Sequence, residues 1–172
     1  MFFKRIKKIS SEKFLTTVLK ARSKQFSSGK IKTVGIMFHH DQFTDYDYFR
    51  MLFTDLGLND NWLRFISFYE NENNQPNSWD SSFTKTDFDW LGHCKSPEIA
   101  EFVEQPFDLL ISYYKPSCYE LKIVTAMSKA KFKVGVSNED DRLHDLIIDV
   151  STKDIDTFKT ELIKYLRTLN KI

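Results

Sequence analysis

Glycine is scarce in this chain, with five in 172 residues, beside four prolines and two cysteines. A backbone that wraps a pyrophosphate needs residues without a Cβ. Neither G-x-G-x-x-G nor G-x-x-x-x-G-K-[ST] occurs, so a standard dinucleotide or nucleoside triphosphate site is not expected. Cys94 and Cys118 are too few for a disulfide framework and read as reduced thiols of a cytoplasmic protein. No apolar run approaches the roughly 18 residues of a membrane-spanning helix. The opening MFFKRIKK is not followed by an apolar stretch of about 7 to 15 residues, so a secretory leader is not expected.

Aromatic residues are plentiful, 16 of them Phe. Such rings bury large areas each, so a modest apolar fraction of 41% still supports a core for one domain. The net charge of +1 conceals a division. Residues 1–32 hold ten Lys or Arg against one acid, Glu12, and the remaining 140 residues hold 15 bases against 23 acids. A basic arm therefore precedes an acidic body, which bears on partners and on docking of the arm to the protein itself.

Residues 1 to about 26 read as a helix capped at Ser10 or Ser11, with Phe14, Leu15, Val18 and Leu19 as one apolar stripe. Residues 32–38 read as a first strand, 45–56 as a helix closed by Gly57, and 62–69 as a second strand. A polar loop, 70–82, leads into FTKTDFDWL, a short strand or an ordered lid. Ser96-Pro97-Glu98 starts a helix that ends before Pro106. Then follow a strand at 107–114, a helix at 118–129, strands at 132–137 and 146–150, and a helix at 154–169. In this last helix Ile155, Phe158, Leu162, Tyr165, Leu166 and Leu169 are the expected buried stripe. The short gap between the last two strands allows an antiparallel edge or a connection across the sheet. The alternation predicts a three-layer, Rossmann-like α/β fold with a mainly parallel sheet of about five to six strands. A basic amphipathic helix (1–31) would precede the α/β domain (32–172).

The segment SKAKFKVGVS, preceded by FDLLISYY and followed by DLIIDV, resembles a family of uncharacterised small bacterial proteins, a domain of unknown function. The resemblance covers nearly the whole chain, FTKTDFDWLG included, and implies no activity, cofactor or catalytic residue. The succession of an apolar-Asp-apolar strand, a helix, Ser-Lys-Ala-Lys and Gly is also similar to part of the N-terminal Rossmann-like half of heptosyltransferase-type glycosyltransferases. That likeness implies a fold and not an activity, because the nucleotide-sugar site of those enzymes lies mostly in a second domain, which 172 residues are too few to contain.

Ligands of doubly wound sheets sit at the carboxyl ends of the strands. Here those ends offer His39, His40 and Asp41 after the first strand, and Lys115, Ser117 and Cys118 before a helix. A histidine there is a candidate general base with Asp41 or Asp45 as orienter, although surface histidines are commoner. Adding His93 and Cys94 would make a zinc set, but the spacings match no common ligand pattern and no metal is expected. Cys118 near a helix N-terminus suits a stabilised thiolate, against the commoner reading of a small residue packed on a strand. Phe83, Phe88 and Trp90 with Asp87 and Asp89 cover a sheet edge or form a partner patch. Glu139, Asp140, Asp141 and Asp145 read as solvated loop carboxylates, since the loop lacks the pattern of a calcium loop.

The basic arm carries the functional expectation. Lys4, Arg5, Lys7, Lys8, Lys13, Lys20, Arg22 and Lys24 suit an anionic membrane surface, RNA phosphates or the protein's own acidic body. The expectation is a non-catalytic binding or accessory protein. Residues 1–32 would engage a protein or ribonucleoprotein assembly or an anionic membrane, in the cytoplasm or peripheral to the inner membrane. No cofactor and no small-molecule ligand is expected. The alternative is a small nucleotide-binding or glycosyltransferase-like enzyme with its site at the strand ends.

Overall fold

The computed structural model describes residues 2–22, 29–74, 81–89, 91–115, 117–136 and 140–172, with the backbone but not the side chains of 2–11 and 74. Eleven main elements follow one another: α1 (Phe2–Ala21), β1 (Val34–His39), α2 (Tyr46–Asp55), β2 (Leu63–Phe68), β3 (Ser81–Phe83), α3 (Pro97–Glu104), β4 (Leu109–Tyr113), α4 (Tyr119–Met127), β5 (Lys133–Val136), β6 (Leu146–Ile148) and α5 (Ile155–Thr168). The six strands form one sheet in the order β3-β2-β1-β4-β5-β6, and every pairing is parallel. This is the doubly wound order of Rossmann-like sheets, which reverses direction between β1 and β4.

Strands buried on both faces read as continuous apolar runs rather than as alternations, and VGIMFH and LLISY are buried at every position. On one face Ile36, Phe38, Phe65, Ile111 and Val134 meet Phe49, Leu52 and Phe53 of α2 and Phe158, Leu162 and Leu166 of α5. On the other, Met37, Ile66, Phe68 and Leu110 meet Ile99, Phe102 and Val103 of α3 and Leu121 and Val124 of α4. Ser96 caps α3 as expected, its Oγ accepting from the backbone N–H of Ile99 at 3.4 Å, with Pro97 in the first turn.

Four expectations change. α1 is helical from Phe2, so neither Ser10 nor Ser11 caps it; no glycine or proline interrupts MFFKRIKKISS, and lysine, arginine and glutamate favour helix. The strand near residue 83 occupies Ser81–Phe83, because Thr84 and Asp87 form a reciprocal capping box that turns the chain into a 3-10 segment at once. β6 runs parallel to β5, which removes the antiparallel edge. On α5, Tyr165 (37% exposed) and Leu169 (49%) lie outside the buried stripe of Phe158, Leu162 and Leu166.

α1 lies against α4. Phe14, Leu15 and Val18 pack on the second core face, and Leu19 is buried with Ala126 and Leu143. Beside this seam lies a charged cluster. Arg22 makes two bonds to Asp145, at 2.7 and 2.8 Å, and donates to the carbonyl of Arg142 at 2.6 Å. Asp145 also accepts from the backbone N–H of Lys133 at 2.9 Å. It is thus a buried carboxylate, contrary to its reading as solvated, because α1 brings a guanidinium to it. Lys133 is itself buried and donates Nζ to the carbonyl of Thr125 at 2.7 Å, filling an acceptor in the last turns of α4. Burial, then the charge of Arg22, draws the Lys133 ammonium down to about 7.

His144 is packed over Gly135, and burial, then the charges of Lys133 and Arg22, pushes its imidazole down to about 3. In the unfolded chain it would protonate near 6.5. Between those values the unfolded state binds the extra proton, so stability falls as pH drops below about 6.5. Between about pH 6.5 and 5.5 most unfolded carboxylates are still ionised, so this histidine is separable from them. Urea titrations across that interval should show stability falling by up to about 1.4 kcal/mol per pH unit. His144→Leu should flatten the slope, and an unchanged slope in the variant would exclude the assignment.

Candidate functional site

The switch point between β1 and β4 is where this strand order usually admits a ligand. In this chain it is bridged. Gln42, just beyond β1, accepts from the backbone N–H of Lys115 through Oε1 at 2.7 Å. Phe43 packs edge-on against Phe38, Phe49 and Tyr113, with centroids 5.7, 5.4 and 5.0 Å apart. Tyr113 in turn meets Phe158 at 5.0 Å and donates its hydroxyl to the carbonyl of Thr152 at 3.1 Å. An aromatic plug from the β1–α2 loop thus fills the α2/α5 side of the crevice.

The polar groups gather on the α4 side. His39, buried, has Nε2 3.6 Å from a carboxylate oxygen of Glu70, which also pairs with the ammonium of Lys85. The Lys85 hydrogen bond holds the Glu70 carboxyl below its usual range, and the same bond raises Lys85. Cys118 begins α4 and its thiol lies 3.6 Å from an oxygen of Glu120. Burial, with added repulsion from Glu120, pushes that thiol up to about 12. The helix N-terminus favours a thiolate, but desolvation and a neighbouring carboxylate outweigh it.

Of the strand-end residues, His39 and Cys118 share this cluster through Glu70, whose charge acts on both. Asp41 is exposed and donates its backbone N–H to Nδ1 of His39 at 3.2 Å. His40 stacks on Tyr69, centroids 4.3 Å apart. Lys115 contributes its backbone to the Gln42 bridge, and Ser117 is exposed. Glu70 and Lys85 were missed in the sequence because one read as loop and the other as part of a short strand or an ordered lid. His93 pairs with Asp89 at 3.0 Å instead of joining His39 and His40. Among the described residues no group of three or more His, Cys, Asp or Glu is placed to hold a metal. Phe83 and Phe88 are buried in the core against β2, while Trp90 and Glu139 fall outside the described residues.

Cys118 should therefore react slowly. At pH 7.5 its alkylation by iodoacetamide is expected to be at least about a hundredfold slower in the folded protein than in urea. Equal rates in the two states would show that the crevice opens freely to solvent.

Among the arm residues, Lys13 and Lys20 are exposed. Arg22 is turned inward to Asp145, its side chain only 10% exposed, so it fastens the helix instead of meeting a partner. The side chains of Lys4, Arg5, Lys7 and Lys8, and all of Lys24, lie outside the described residues.

The strand order, the two helical layers and the plugged switch point define a Rossmann-like α/β protein. Residues 7–169 match the model of a family of unknown function, DUF6913, and the chain belongs to that family. No curated protein and no solved structure matches it. No helix among the described residues is long and apolar enough to cross a membrane.

Proposed function

We propose that this protein is a non-catalytic binding module that engages a ribonucleoprotein assembly through its basic N-terminal arm. The observation that carries the reading is how the charge is mounted. Ten cations against one acid precede residue 33, and α1 is fastened to α4 by its apolar stripe and by Arg22. Lys13 and Lys20 then face solvent on a rigid support. The stripe of Phe14, Leu15, Val18 and Leu19 is occupied by the protein itself and is not offered to a bilayer, which favours phosphates met in water over lipid for Lys13 and Lys20.

Removing α1 would strip Leu19 and Arg22 from the body and confuse binding with stability. The cleaner variant is Lys4→Gln, Arg5→Gln, Lys7→Gln and Lys8→Gln together. The intact chain should bind structured RNA with an affinity that falls steeply with salt, and the variant should lower the log–log salt slope by about one for each phosphate it no longer neutralises. Binding to anionic vesicles but not RNA, or no salt-dependent binding at all, would refute the proposal.

A second reading is favoured by the His39–Glu70–Lys85 cluster and by the strand order. In it the chain is a small nucleotide-binding or glycosyltransferase-like enzyme, related to the N-terminal half of heptosyltransferase-type enzymes. Thermal stabilisation of the intact chain by nucleotides or nucleotide sugars, measured without RNA, would support it over the arm.

A further inference from the structure

A wide concavity lies at the other end of the sheet, where β1, β2, β4 and β5 begin. It is an open cleft of about 1040 Å³, built from Gly29–Thr33, Gly57–Asn59, Asn61, Trp62 and Arg64, Gln105–Asp108 and Lys131. Its floor is fixed. Asp108 accepts from the backbone N–H groups of Lys32 and Thr33 at 3.0 and 3.1 Å, and from Nζ of Lys131 at 2.8 Å. Arg64 donates to the carbonyls of Asn61 and Leu63, at 3.1 and 3.2 Å, which holds its guanidinium beside the 57–62 loop.

Two properties stand out. Lys30, Lys32, Arg64 and Lys131 set four cations around the single carboxylate of Asp108, on a body that is otherwise acidic. Trp62 lies on the same cleft and is 57% exposed. An exposed indole next to lysine and arginine is what a single-stranded nucleic acid uses, since any base can stack on the ring while phosphates pair with the cations. The amides of Asn59, Asn61 and Gln105 add donors and acceptors suited to base edges.

We infer that this cleft binds a nucleobase with its flanking phosphates, Trp62 stacking on the base and Lys30, Lys32 and Arg64 holding the phosphates, and that the occupant is a single-stranded segment of RNA. The inference rests on the reading of the arm as an RNA-binding element, because Lys30 and Lys32 are the last cations of that arm. It puts the sequence-tolerant contact at the amino ends of the strands, opposite the plugged switch point. The charge complementarity of the cleft argues for a phosphodiester strand. The aromatic surface argues for unpaired bases over duplex, whose bases are hidden from a stacking side chain.

The test uses the full chain and a labelled oligouridylate of roughly a dozen nucleotides, with a duplex of equal length and uridine monophosphate as competitors. Trp62→Ala should weaken oligouridylate binding about tenfold with an unchanged melting temperature, because the ring is exposed and supports little of the core. Lys30→Gln with Lys32→Gln should weaken it and reduce its salt dependence. Wild-type affinity in Trp62→Ala, or equal competition by the duplex, would overturn stacking. Uridine monophosphate competing as well as the strand would overturn the assignment to RNA and give the cleft to a free nucleotide. The four-residue arm variant separates the two ideas. If it no longer binds structured RNA while oligouridylate still depends on Trp62, both stand. If the intact chain binds structured RNA but oligouridylate ignores Trp62, only the cleft assignment falls. If structured RNA is not bound yet oligouridylate depends on Trp62, the cleft stands and the arm reading falls.

Discussion

Asp145→Ala is expected to lower the unfolding free energy by about 3–5 kcal/mol, a large share of the stability of a domain this size. The carboxylate is 7% exposed and its partner Arg22 is 10% exposed, so the pair is screened little by solvent. Truncating the acid leaves a guanidinium with both of its carboxylate bonds broken, and it leaves the backbone N–H of Lys133 without its carboxylate acceptor. The Lys133 amine, partly protonated near pH 7, stands close by, so the local surplus of positive charge also grows. Arg22→Leu combined with Asp145→Leu should recover most of the stability, since removing both charges avoids an uncompensated buried ion. Urea denaturation of the two single variants and the double variant measures the coupling. A drop below about 1 kcal/mol for Asp145→Ala would mean that the pair behaves as a surface ion pair and that the apolar stripe alone holds α1.

That cluster also marks where the sequence stops being informative. The central strands were legible because β1, β2, β4 and β5 are apolar runs of strand length, and α3 because Ser96-Pro97 announces a helix start. The parallel direction of β6 was not, since the 137–145 connection is too short and too polar to read as a crossover. Asp145 read as a solvated loop carboxylate, and nothing local in the sequence marked Lys133 or His144 as buried. Arg22, more than 100 residues away in sequence, sequesters Asp145, while Lys133 is buried with its Nζ on the Thr125 carbonyl of α4 and His144 is packed over Gly135. The strand-end cluster was half legible. His39 and Cys118 lie next to recognisable strand and helix boundaries, whereas Glu70 and Lys85 reach the site only through the path of a loop. The cleft at the amino ends was invisible, because four short segments from separate parts of the chain build it and none carries a local motif. Trp62 read simply as the first residue of a strand.

Gly135→Ala is the second substitution with a large expected effect, about 2–3 kcal/mol. The residue lies in β5 between Ser112 of β4 and Ile147 of β6, in a buried stretch of the sheet. Its backbone angles are ones an alanine accepts, so the cost is steric. A Cβ there would stand 2.5–2.7 Å from Cε1, Nδ1 and Nε2 of the His144 ring, well inside contact distance. The residue is 8% exposed, which limits the room its ring has to swing away. His144→Ala alone should also destabilise, by roughly 1–3 kcal/mol for the cavity it leaves. The double variant should cost less than the two changes added together, by at least about 1 kcal/mol, because the new methyl group occupies part of the vacated space. Strict additivity would show that the ring yields elsewhere, and that glycine at 135 is not required by His144. A full rescue would identify the pair as one packing unit, in which the strand gives up its side chain so that an uncharged histidine can close the β5–β6 corner beneath α1.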